Sequence, residues 1–432
     1  MQTGVTKTTT ALFTLLFALP VVANAQTTAR CGNVTSRSID EVQTRAQALE
    51  REVTLLQSQE QSEATETAAL RPAQERLLTA MEDLACLQEE SISGTKGWSR
   101  TTTFVQVPLL FVTDRNQTRS RGAADFFGAM QRPAGLEFGQ LQAVLPETGG
   151  IRTSLITGAR RAGRPAGAGR QQLRDVAPVS DGQFWSSLRT AVQASRSNGD
   201  SPRILLFVHG FNVSFTEAAL AGARLASSMQ MPIVPVFYSW PSQGRVLGYW
   251  QDEEIMTASS LRFSSFLETL AAIPDAEVII VAHSMGSRIV TRSLAELARR
   301  GSTLRSVSRV ILAAADLARL EFTEQWPSLR ALKNIRWTMY ASSSDFALRL
   351  STFIHRFRRV GETKGGIYIQ AGTDTVDASS TTSVIQAFGH SYVIASPAIA
   401  TDIADWVSRN LSPASRGLRA DTQNGLTFYR FP

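Results

Sequence analysis

The sequence predicts an α/β fold in which helices cover both faces of a mostly parallel sheet. Between residues 204 and 408, short apolar segments typical of buried strands alternate with segments of helical periodicity. This alternation is typical of crossover connections, which place neighbouring strands parallel. Small and polar residues directly follow several of the apolar segments. Because parallel strands end at the same edge of a sheet, we expect these residues to gather there.

The expected elements begin before this region. Two strands are expected at 103–112 and within 136–145, and residues 158–174, rich in Gly, Ala and Arg, are expected to form a mobile loop. The later elements, in chain order, are strands at 204–208, 232–238, 278–281, 307–313, 335–340 and 366–370, and helices at 214–228, 252–271, from 287, at 322–333 and at 397–408.

The 432 residues suit one large catalytic domain with an appendage. Residues 1–25 have the features of a signal peptide, with Lys7 before an apolar run and an Ala-Asn-Ala cleavage site. The run is short for a membrane span, and no other long apolar stretch follows. We therefore expect a mature chain that begins at Gln26, has no transmembrane segment, and is periplasmic or secreted.

Residues 26–95 are expected to form an antiparallel helical hairpin. Two segments, 39–56 and 70–87, carry apolar residues three and four apart, as in a coiled coil, and a polar segment separates them. Cys31 and Cys86, the only cysteines, would lie at one end of the hairpin, where an oxidising compartment favours a disulfide. The hairpin either packs on the main domain or serves as an arm for a protein partner or for self-association.

The formal net charge of +7 comes mostly from arginines spread along the chain. In an exported protein this favours contact with anionic envelope surfaces, and nucleic acid is not an expected partner. Neither the cysteines nor the four histidines have the spacing of a zinc site, so we expect no metal and no cofactor.

The strongest candidate for chemistry is Ser284, in the sequence Ala-His-Ser-Met-Gly at 282–286. An apolar strand precedes this motif and a helical pattern follows, which places the serine in a sharp turn between strand and helix. The small residues Ala282 and Gly286, two positions to either side, permit the strained backbone of such a turn. The pattern indicates a nucleophile, and a helix-capping serine is the alternative.

A serine hydroxyl needs a base, and histidine suits this task near neutral pH. We favour His390, because a loop beyond the last expected strand can place its side chain over Ser284. His355, in an arginine-rich helical segment, is the alternative.

An acid is needed to orient the histidine. Asp345 and Asp316 both follow expected strands at their carboxyl ends, and we favour Asp345. Asp374 and Asp377 are further alternatives. An aspartate that is not the acid is expected to cap the helix that follows it.

Backbone N–H groups are expected to bind the oxyanion of the tetrahedral intermediate. One is the amide of Met285, at the start of the helix, and the other is that of Phe211, where Gly210 permits a tight turn after the 204–208 strand.

Three residues are candidates for the substrate pocket, namely Asn212, Trp240 and Tyr249. Trp240 follows a strand at its carboxyl end. It either lines an acyl or alcohol pocket or fills core space in a rigid turn.

On these residues the chain resembles the α/β-hydrolase superfamily over about 105–407. The match rests on the AHSMG turn, the FVHGFN loop and the chain order Ser284, Asp345, His390. It more narrowly resembles a bacterial esterase/lipase-like subgroup, through FVTDRN (111–116), LFVHGFNVSFTEAA (206–219), YSWPSQG (238–244) and GHSY (389–392). The resemblance implies an eight-stranded sheet within a domain at 96–412. Residues 413–432 are expected to be a polar tail without clear structure.

The resemblance also implies hydrolysis of a carboxylic ester, from a small molecule or a lipid, through an acyl-enzyme. Acyl transfer and peptide hydrolysis are alternatives with the same triad, since water, an alcohol and an amine can all attack an acyl-enzyme. An envelope scaffold that uses the hairpin to bind a partner is the alternative outside enzymes.

Overall fold

A computed structural model of the chain describes residues 39–63, 69–70, 72–77, 79–80, 83, 103–120, 122–147, 156–162, 172–196, 201–229, 231–243, 249–381, 393 and 396–432. Within these residues, a large mixed sheet carries helices on both faces, as the sequence predicts.

Fourteen strands are described, twelve in the large sheet and two in a small ribbon, β2–β3. Their bounds are β1 Phe104–Thr113, β2 Arg115–Gln117, β3 Phe127–Gln131, β4 Glu137–Pro146, β5 Arg160–Ala162, β6 Gln172–Val179, β7 Arg203–Val208, β8 Val234–Ser239, β9 Glu277–His283, β10 Val307–Ala313, β11 Arg336–Ala341, β12 Asp374–Asp377, β13 Arg419–Gln423 and β14 Leu426–Arg430.

The α-helices with defined bounds surround this sheet. They are α1 Ile39–Glu63, α2 Asp181–Ala194, α3 Phe215–Ser228, α4 Tyr249–Leu270, α5 Gly286–Arg299, α6 Arg319–Ala331, α7 Phe346–His355 and α8 Pro397–Arg409. Capping boxes begin α2 and α3, where Ser180 pairs with Gln183 and Ser214 pairs with Glu217.

The strand order of the large sheet is β13-β14-β12-β11-β10-β9-β7-β8-β1-β4-β6, and β5 pairs with β1. The run from β1 through β8, β7, β9, β10, β11 and β12 to β14 is parallel. The expectation of eight strands is wrong for the whole sheet, because β4, β5, β6 and β13 add antiparallel strands to that run.

The expected strand at 366–370 is also wrong, and β12 lies further along the chain. Side chains form hydrogen bonds with the backbone groups that would otherwise pair with a neighbouring strand. The Gly366 carbonyl accepts from Arg319 Nη2 at 2.8 Å, and the Ile367 amide donates to Gln423 Oε1 at 3.1 Å. Gly366 has a φ of 117°, which interrupts an extended conformation.

The expectation that residues 413–432 form a polar tail without clear structure is also wrong. It contains the antiparallel hairpin β13–β14, and β14 joins the sheet beside β12. The turn consists of Asn424 and Gly425, both with positive φ, at 53° and 76°. Asn-Gly is the dipeptide that favours a two-residue hairpin turn, so the signal was present in the sequence.

The segment expected to be a mobile loop, 158–174, differs in part. Residues 160–162 form β5 against β1, and β6 begins at Gln172 against β4. The residues between these strands lie outside the described part of the chain.

Alternate residues of each central strand face two separate cores. In β7, Ile204 and Leu206 pack with α2, α4, α5 and α6, whereas Leu205 and Phe207 pack with α3 and α8. Both faces of the parallel strands are therefore covered, which explains why these strands read as continuous apolar runs.

The two helical segments near the N-terminus pack together, as their apolar periodicity predicts. Their described seam consists of Ala46, Leu49, Val53, Leu70, Ala73, Leu77 and Ala80, all buried. Glu52 and Arg76 form an ion pair at 2.5 Å across the two segments. Among the described helices, none combines the length and apolarity needed to cross a bilayer.

Candidate active site

Ser284 occupies a strained turn between β9 and α5. Its φ is 55°, in the left-handed region that non-glycine residues seldom adopt. Backbone hydrogen bonds hold this conformation: the Ser284 amide donates to the Ala313 carbonyl at 2.9 Å, and its carbonyl accepts from Ser287 at 3.0 Å and Asp316 at 3.2 Å. Such over-determined strain at a serine is typical of a nucleophile turn.

Two glycines allow the loop after β7 to lie directly against this turn. A Cβ on Gly210 would stand 2.5 Å from the Cβ of Ser284, and one on Gly286 would stand 2.6 Å from the His209 carbonyl oxygen. Neither distance is sterically allowed, so each position requires glycine. The contact brings the backbone of the FVHGFN loop next to the Ser284 side chain.

Met285 begins α5 as its N-cap residue and is fully buried. Within the described part of the chain, its amide has no hydrogen-bond acceptor. An N–H at the positive end of a helix, one residue after Ser284, is placed to bind a developing oxyanion.

The FVHGFN loop is held in place by a group of buried polar residues that we call the Arg115 clamp, namely Arg115, His209, Ser239, Ser242 and Asp252. The guanidinium of Arg115 donates to the Val213 carbonyl at 2.6 Å, to Ser239 Oγ at 2.8 Å, and to the carbonyls of Gly128 at 3.0 Å and Ser242 at 3.1 Å. Burial lowers the pKa of Arg115 to about 10, which leaves it cationic at neutral pH.

His209 is a neutral structural member of the clamp. Its Nδ1 lies 2.8 Å from the Gly210 carbonyl, and its Nε2 lies 3.4 Å from Arg115 Nη2. A guanidinium only donates, so Nε2 is unprotonated and Nδ1 carries the proton. Burial, and secondarily Arg115, holds the pKa of His209 well below its ordinary value.

Asp252 closes the clamp from α4. Its carboxylate accepts from Ser242 Oγ at 2.6 Å, from the Gln243 amide at 2.8 Å, and from the backbone of Asn212. Burial raises the pKa of Asp252 to about 6, although these hydrogen bonds act in the opposite direction. Asn212, with a φ of 58°, is thereby fixed in the loop.

The clamp joins three motifs that the sequence presents far apart, FVTDRN, FVHGFN and YSWPSQG. Sequence reasoning missed Arg115. The available signal was a charged pair, Asp114-Arg115, directly after a ten-residue buried strand.

Trp240, a candidate for the substrate pocket, is fully buried instead. Its ring stacks on that of His209, with centroids 5.3 Å apart, and its Nε1 donates to the His209 carbonyl at 2.8 Å. It therefore fills core space and supports the FVHGFN loop. Tyr249 is the first residue of α4, and its side chain lies outside the described part of the structure.

A second group of ionisable side chains, three buried and two partly buried, lies beyond β10, and we call it the Asp316 cluster, namely Asp316, Arg288, Arg359, Glu253 and His355. Asp316 Oδ1 lies 3.1 Å from Arg288 Nη2 and 3.2 Å from Arg359 Nε, and it accepts from Ser351 Oγ at 2.6 Å. Burial alone would raise the pKa of Asp316, but the two arginines outweigh it and hold the pKa below its ordinary value.

His355, the alternative base, belongs to this cluster. Its Nε2 lies 2.9 Å from Glu253 Oε1, and its Nδ1 lies 2.9 Å from the Ser351 carbonyl. Glu253 also pairs with Arg288, and its pKa is lowered to about 2, because these partners outweigh its burial. Both ring nitrogens of His355 thus face oxygen acceptors within the cluster.

Asp345 is fully buried at the carboxyl end of the next strand, β11. It is the N-cap of α7, the role expected of an aspartate that is not the acid, and its Oδ1 accepts from the Leu348 amide at 3.0 Å. Asp377 ends β12 and accepts from Ser379. Asp374, by contrast, begins β12 in register with Thr338, three residues before β11 ends at its carboxyl end.

His390 and the cysteines Cys31 and Cys86 lie outside the described residues. Within the described ranges, no group of three or more His, Cys, Asp or Glu side chains is arranged to hold a metal ion.

A comparison with models of known protein families finds a match to this chain. A family model described as "Alpha/beta hydrolase of unknown function (DUF900)" matches residues 185–406, just over half of the chain. The protein belongs to this family of alpha/beta hydrolases. The matched region includes the Ser284 turn, the four candidate aspartates and His390, whereas Arg115 and the helical hairpin precede it.

One curated relative is the uncharacterized protein alr1448 of Nostoc sp. It is 30% identical over 122 residues, which cover 22% of this chain and 31% of that protein. The chain therefore aligns with about a third of the relative's length.

In this alpha/beta hydrolase, the candidate groups lie along one sheet edge. Ser284 follows β9, Asp316 follows β10 and Asp345 follows β11, and these three strands are adjacent and parallel. β12 is the next strand, and the chain reaches His390 thirteen residues after β12 ends. The carboxyl edge of the sheet thus collects a serine, two buried carboxylates and the start of the His390 segment, as is usual for ligand sites in open α/β sheets.

Proposed function

We propose that the protein is an exported serine hydrolase of the bacterial envelope that cleaves a carboxylic ester through an acyl-enzyme. The observation that carries the proposal is the Ser284 turn. Ser284 has a φ of 55° and lies between a buried strand and a helix. The FVHGFN loop lies directly against it, and this close contact is possible because Gly210 has no Cβ. A helix-capping serine needs neither feature.

In the proposed reaction, Ser284 Oγ attacks the ester carbonyl while His390 accepts the hydroxyl proton. The amides of Met285 and Phe211 bind the oxyanion of the tetrahedral intermediate. The alcohol then departs with the proton from His390, and water repeats the sequence to release the acid and regenerate Ser284 Oγ.

Asp345 is proposed as the acid that orients His390. It lies one strand from the segment that carries His390, and capping α7 through Oδ1 is compatible with this role because a carboxylate has two acceptor oxygens. The carboxylate of Asp316 is instead shared among Arg288, Arg359 and Ser351.

A fluorophosphonate probe tests the proposal directly, because it labels only activated serine nucleophiles. We expect the probe to modify wild-type protein at Ser284, as located by peptide mass mapping. Ser284→Ala should abolish labelling and lower ester turnover by about 10⁴-fold or more, at unchanged thermal unfolding. Labelling at another serine, or Ser284→Ala turnover within tenfold of wild type, would refute the assignment.

The substrate range follows from a series of 4-nitrophenyl esters from acetate to palmitate on the mature protein. His390→Ala should reduce turnover of every ester in the series by a similar large factor, since the base acts on Ser284 and not on the acyl group. A variant with normal turnover would exclude His390 as the base.

A further inference from the structure

A cavity of about 360 Å³ lies at the amino ends of four central strands, at the edge of the sheet opposite the Ser284 turn. Four charged side chains line it. Arg203 begins β7, Glu277 begins β9, Arg309 lies near the start of β10, and Arg336 begins β11. The seven residues of β9 separate this cavity from Ser284 by about 20 Å. No residue of the proposed reaction lines it.

The four charged side chains share one face of the sheet. Each lies an even number of residues before a strand residue that packs with α3 and α8, namely Leu205, Ile279, Ile311 and Tyr340. The C-terminal end of α8 borders the same cavity through Val407, Ser408 and the helix cap Asn410. The starts of the strands and the end of α8 therefore enclose one polar space.

Three guanidinium groups share one carboxylate in this cavity. Glu277 Oε2 lies 3.3 Å from Arg203 Nε and 3.6 Å from Arg309 Nη1. In the described part of the chain, Arg336 has no carboxylate partner and donates to the neutral Asn410 Oδ1. The lining side chains thus carry a net charge of +2. The negative end of the α8 dipole, equivalent to about half a charge, offsets only part of this.

Arg309 also retains hydrogen-bonding capacity. It is only 6% exposed, and its Nη1 and Nη2 donate to Ser308 Oγ at 3.3 Å and Asn410 Oδ1 at 3.2 Å. Its Nε has no hydrogen-bond acceptor among the described residues. Burial lowers the pKa of Arg309, and the neighbouring guanidinium groups act in the same direction, although Glu277 opposes them. A buried cation beside other cations is stabilised by an anion that supplies charge and acceptors.

We propose that this cavity binds a phosphate group, with Arg309 and Arg336 as its principal donors. Its volume lies within the range of about 300–1,000 Å³ that is usual for ligand sites. Guanidinium forks match the spacing of phosphate oxygens. A phosphomonoester carries a charge of about −1.5 to −2 at pH 7, which balances the lining, whereas a carboxylate balances only half of it. Soluble phosphomonoesters and the headgroup of phosphatidic acid both present this group.

Calorimetric titration of the protein with inorganic phosphate, at low ionic strength to limit screening, tests the site. We expect one saturable site per chain with a Kd of about 1 mM or below. Arg336→Gln should weaken binding about fivefold or more, because it removes a charge-assisted donor. Arg336 is exposed, so thermal unfolding should stay close to that of wild type.

Arg419→Gln is the matched control. Arg419 is also exposed and also begins a strand, β13, which lies three places from β11 in the strand order and does not line the cavity. This variant removes the same charge from the chain, and its affinity for phosphate should stay within about 1.5-fold of wild type, since an exposed charge is screened by water.

Glu277→Gln should act in the opposite direction. It removes the one carboxylate and leaves a net charge of +3 in the cavity, so phosphate should bind about twofold tighter or more. Weaker binding by this variant in folded protein would contradict the proposal. Melting curves accompany the titration because Arg203 loses a partner, and Arg336→Gln alone decides if this variant does not fold.

Co-sedimentation with vesicles identifies the source of the phosphate group. Binding to vesicles that contain phosphatidic acid, absent with phosphatidylcholine alone and weakened by Arg336→Gln, supports the site and assigns a lipid headgroup. Binding of inorganic phosphate without binding to either vesicle supports the site and assigns a soluble phosphomonoester.

Two results would overturn the site. They are the absence of saturable phosphate binding and equal affinities of wild type and Arg336→Gln, and either would leave the arginines as caps of the C-terminal end of α8. Labelling of Ser284 tests the proposed function separately, so the two proposals stand or fall independently.

Discussion

The Arg115 clamp and the Asp316 cluster lie on the two sides of β9 in the strand order, and each buries arginine beside the Ser284 turn. In the clamp, the described partners of the Arg115 guanidinium are neutral: three carbonyls, a hydroxyl and an imidazole. In the cluster, Arg288 and Arg359 share the carboxylate of Asp316. Both regions therefore stabilise buried guanidinium groups, the clamp with neutral hydrogen-bond acceptors and the cluster with a shared carboxylate.

The difference shows in the carboxylates. Asp252 in the clamp accepts hydrogen bonds from neutral groups, which do not offset its burial, so its pKa rises to about 6. Asp316 has two cations in contact, so its pKa falls below the ordinary value. The clamp is therefore the part of the site that responds to mild acid, whereas the cluster keeps its charge.

Neither the clamp nor the cluster is proposed to supply the catalytic acid, which is assigned to Asp345. Of the substitutions considered, Asp345→Asn should therefore lower turnover most. We expect kcat to fall at least about a hundredfold, because an amide cannot stabilise the imidazolium that forms as Ser284 attacks. Asparagine caps helices as well as aspartate does, so thermal unfolding should change little. Steady-state kinetics measures the change in kcat, and a thermal melting curve of the same variant shows whether the fold is intact. Normal turnover in this variant would exclude Asp345 as the acid.

Arg115→Lys tests whether the clamp positions the FVHGFN loop. A lysine has one nitrogen and cannot reach the carbonyls of Gly128, Val213 and Ser242 together, so buried acceptors lose their donors. We expect the rate of probe labelling at Ser284 and kcat to fall by about tenfold, with KM less affected.

Arg300→Lys provides the control for this substitution, because Arg300 is exposed and pairs with Glu296 on the same helix. It should behave as wild type. A clamp variant that labels as fast as this control would show that the loop holds its position without Arg115.

Asp316→Asn should affect stability more than catalysis. It leaves Arg288 and Arg359 buried without their shared carboxylate, so the free energy of unfolding should fall by about 3–5 kcal/mol in urea denaturation. We expect kcat to change by less than about tenfold. Asp275→Asn, which breaks an exposed pair with Arg196, should cost less than about 1 kcal/mol. If Asp316→Asn instead abolishes turnover in folded protein, the cluster and not Asp345 supplies the acid.

The smallest effect is a difference in pH dependence. Asp252 binds its proton more tightly in the folded state, so its contribution to stability falls as pH rises from about 4 to about 6 and is constant above. Two pKa units correspond to about 3 kcal/mol. About one and a half of these units fall above pH 4.5, so the difference in unfolding free energy between wild type and Asp252→Asn should shrink by about 2 kcal/mol between pH 4.5 and 7.5.

The corresponding difference for Asp316→Asn should be flat over the same range. A carboxylate with a lowered pKa contributes stability that is complete above the ordinary value of 3.8 and is lost only in stronger acid. Equal slopes for the two variants would remove the distinction between the clamp and the cluster.

Much of the fold was readable from local pattern. Alternating apolar runs and helical periodicities predicted the parallel strands from β7 to β11 and the helices between them, because burial on both faces leaves a signature within each segment. The sequence also predicted the hairpin seam, because apolar residues spaced three and four positions apart can be recognised within each helix separately. The turn at Ser284 was indicated by its immediate neighbours, a strand before it and Gly286 after it.

Tertiary structure decided what each polar residue near that turn does. Asp316 and Asp345 look alike in sequence, each following a strand, and only packing placed two arginines against Asp316 and a helix amide against Asp345. Trp240 supports His209 through contacts across 31 residues of chain, and Arg115 is the centre of the clamp through contacts that include one across 94 residues. Periodicity reports which face of an element is buried, but the partner that a buried polar group meets depends on which distant segments the fold brings together.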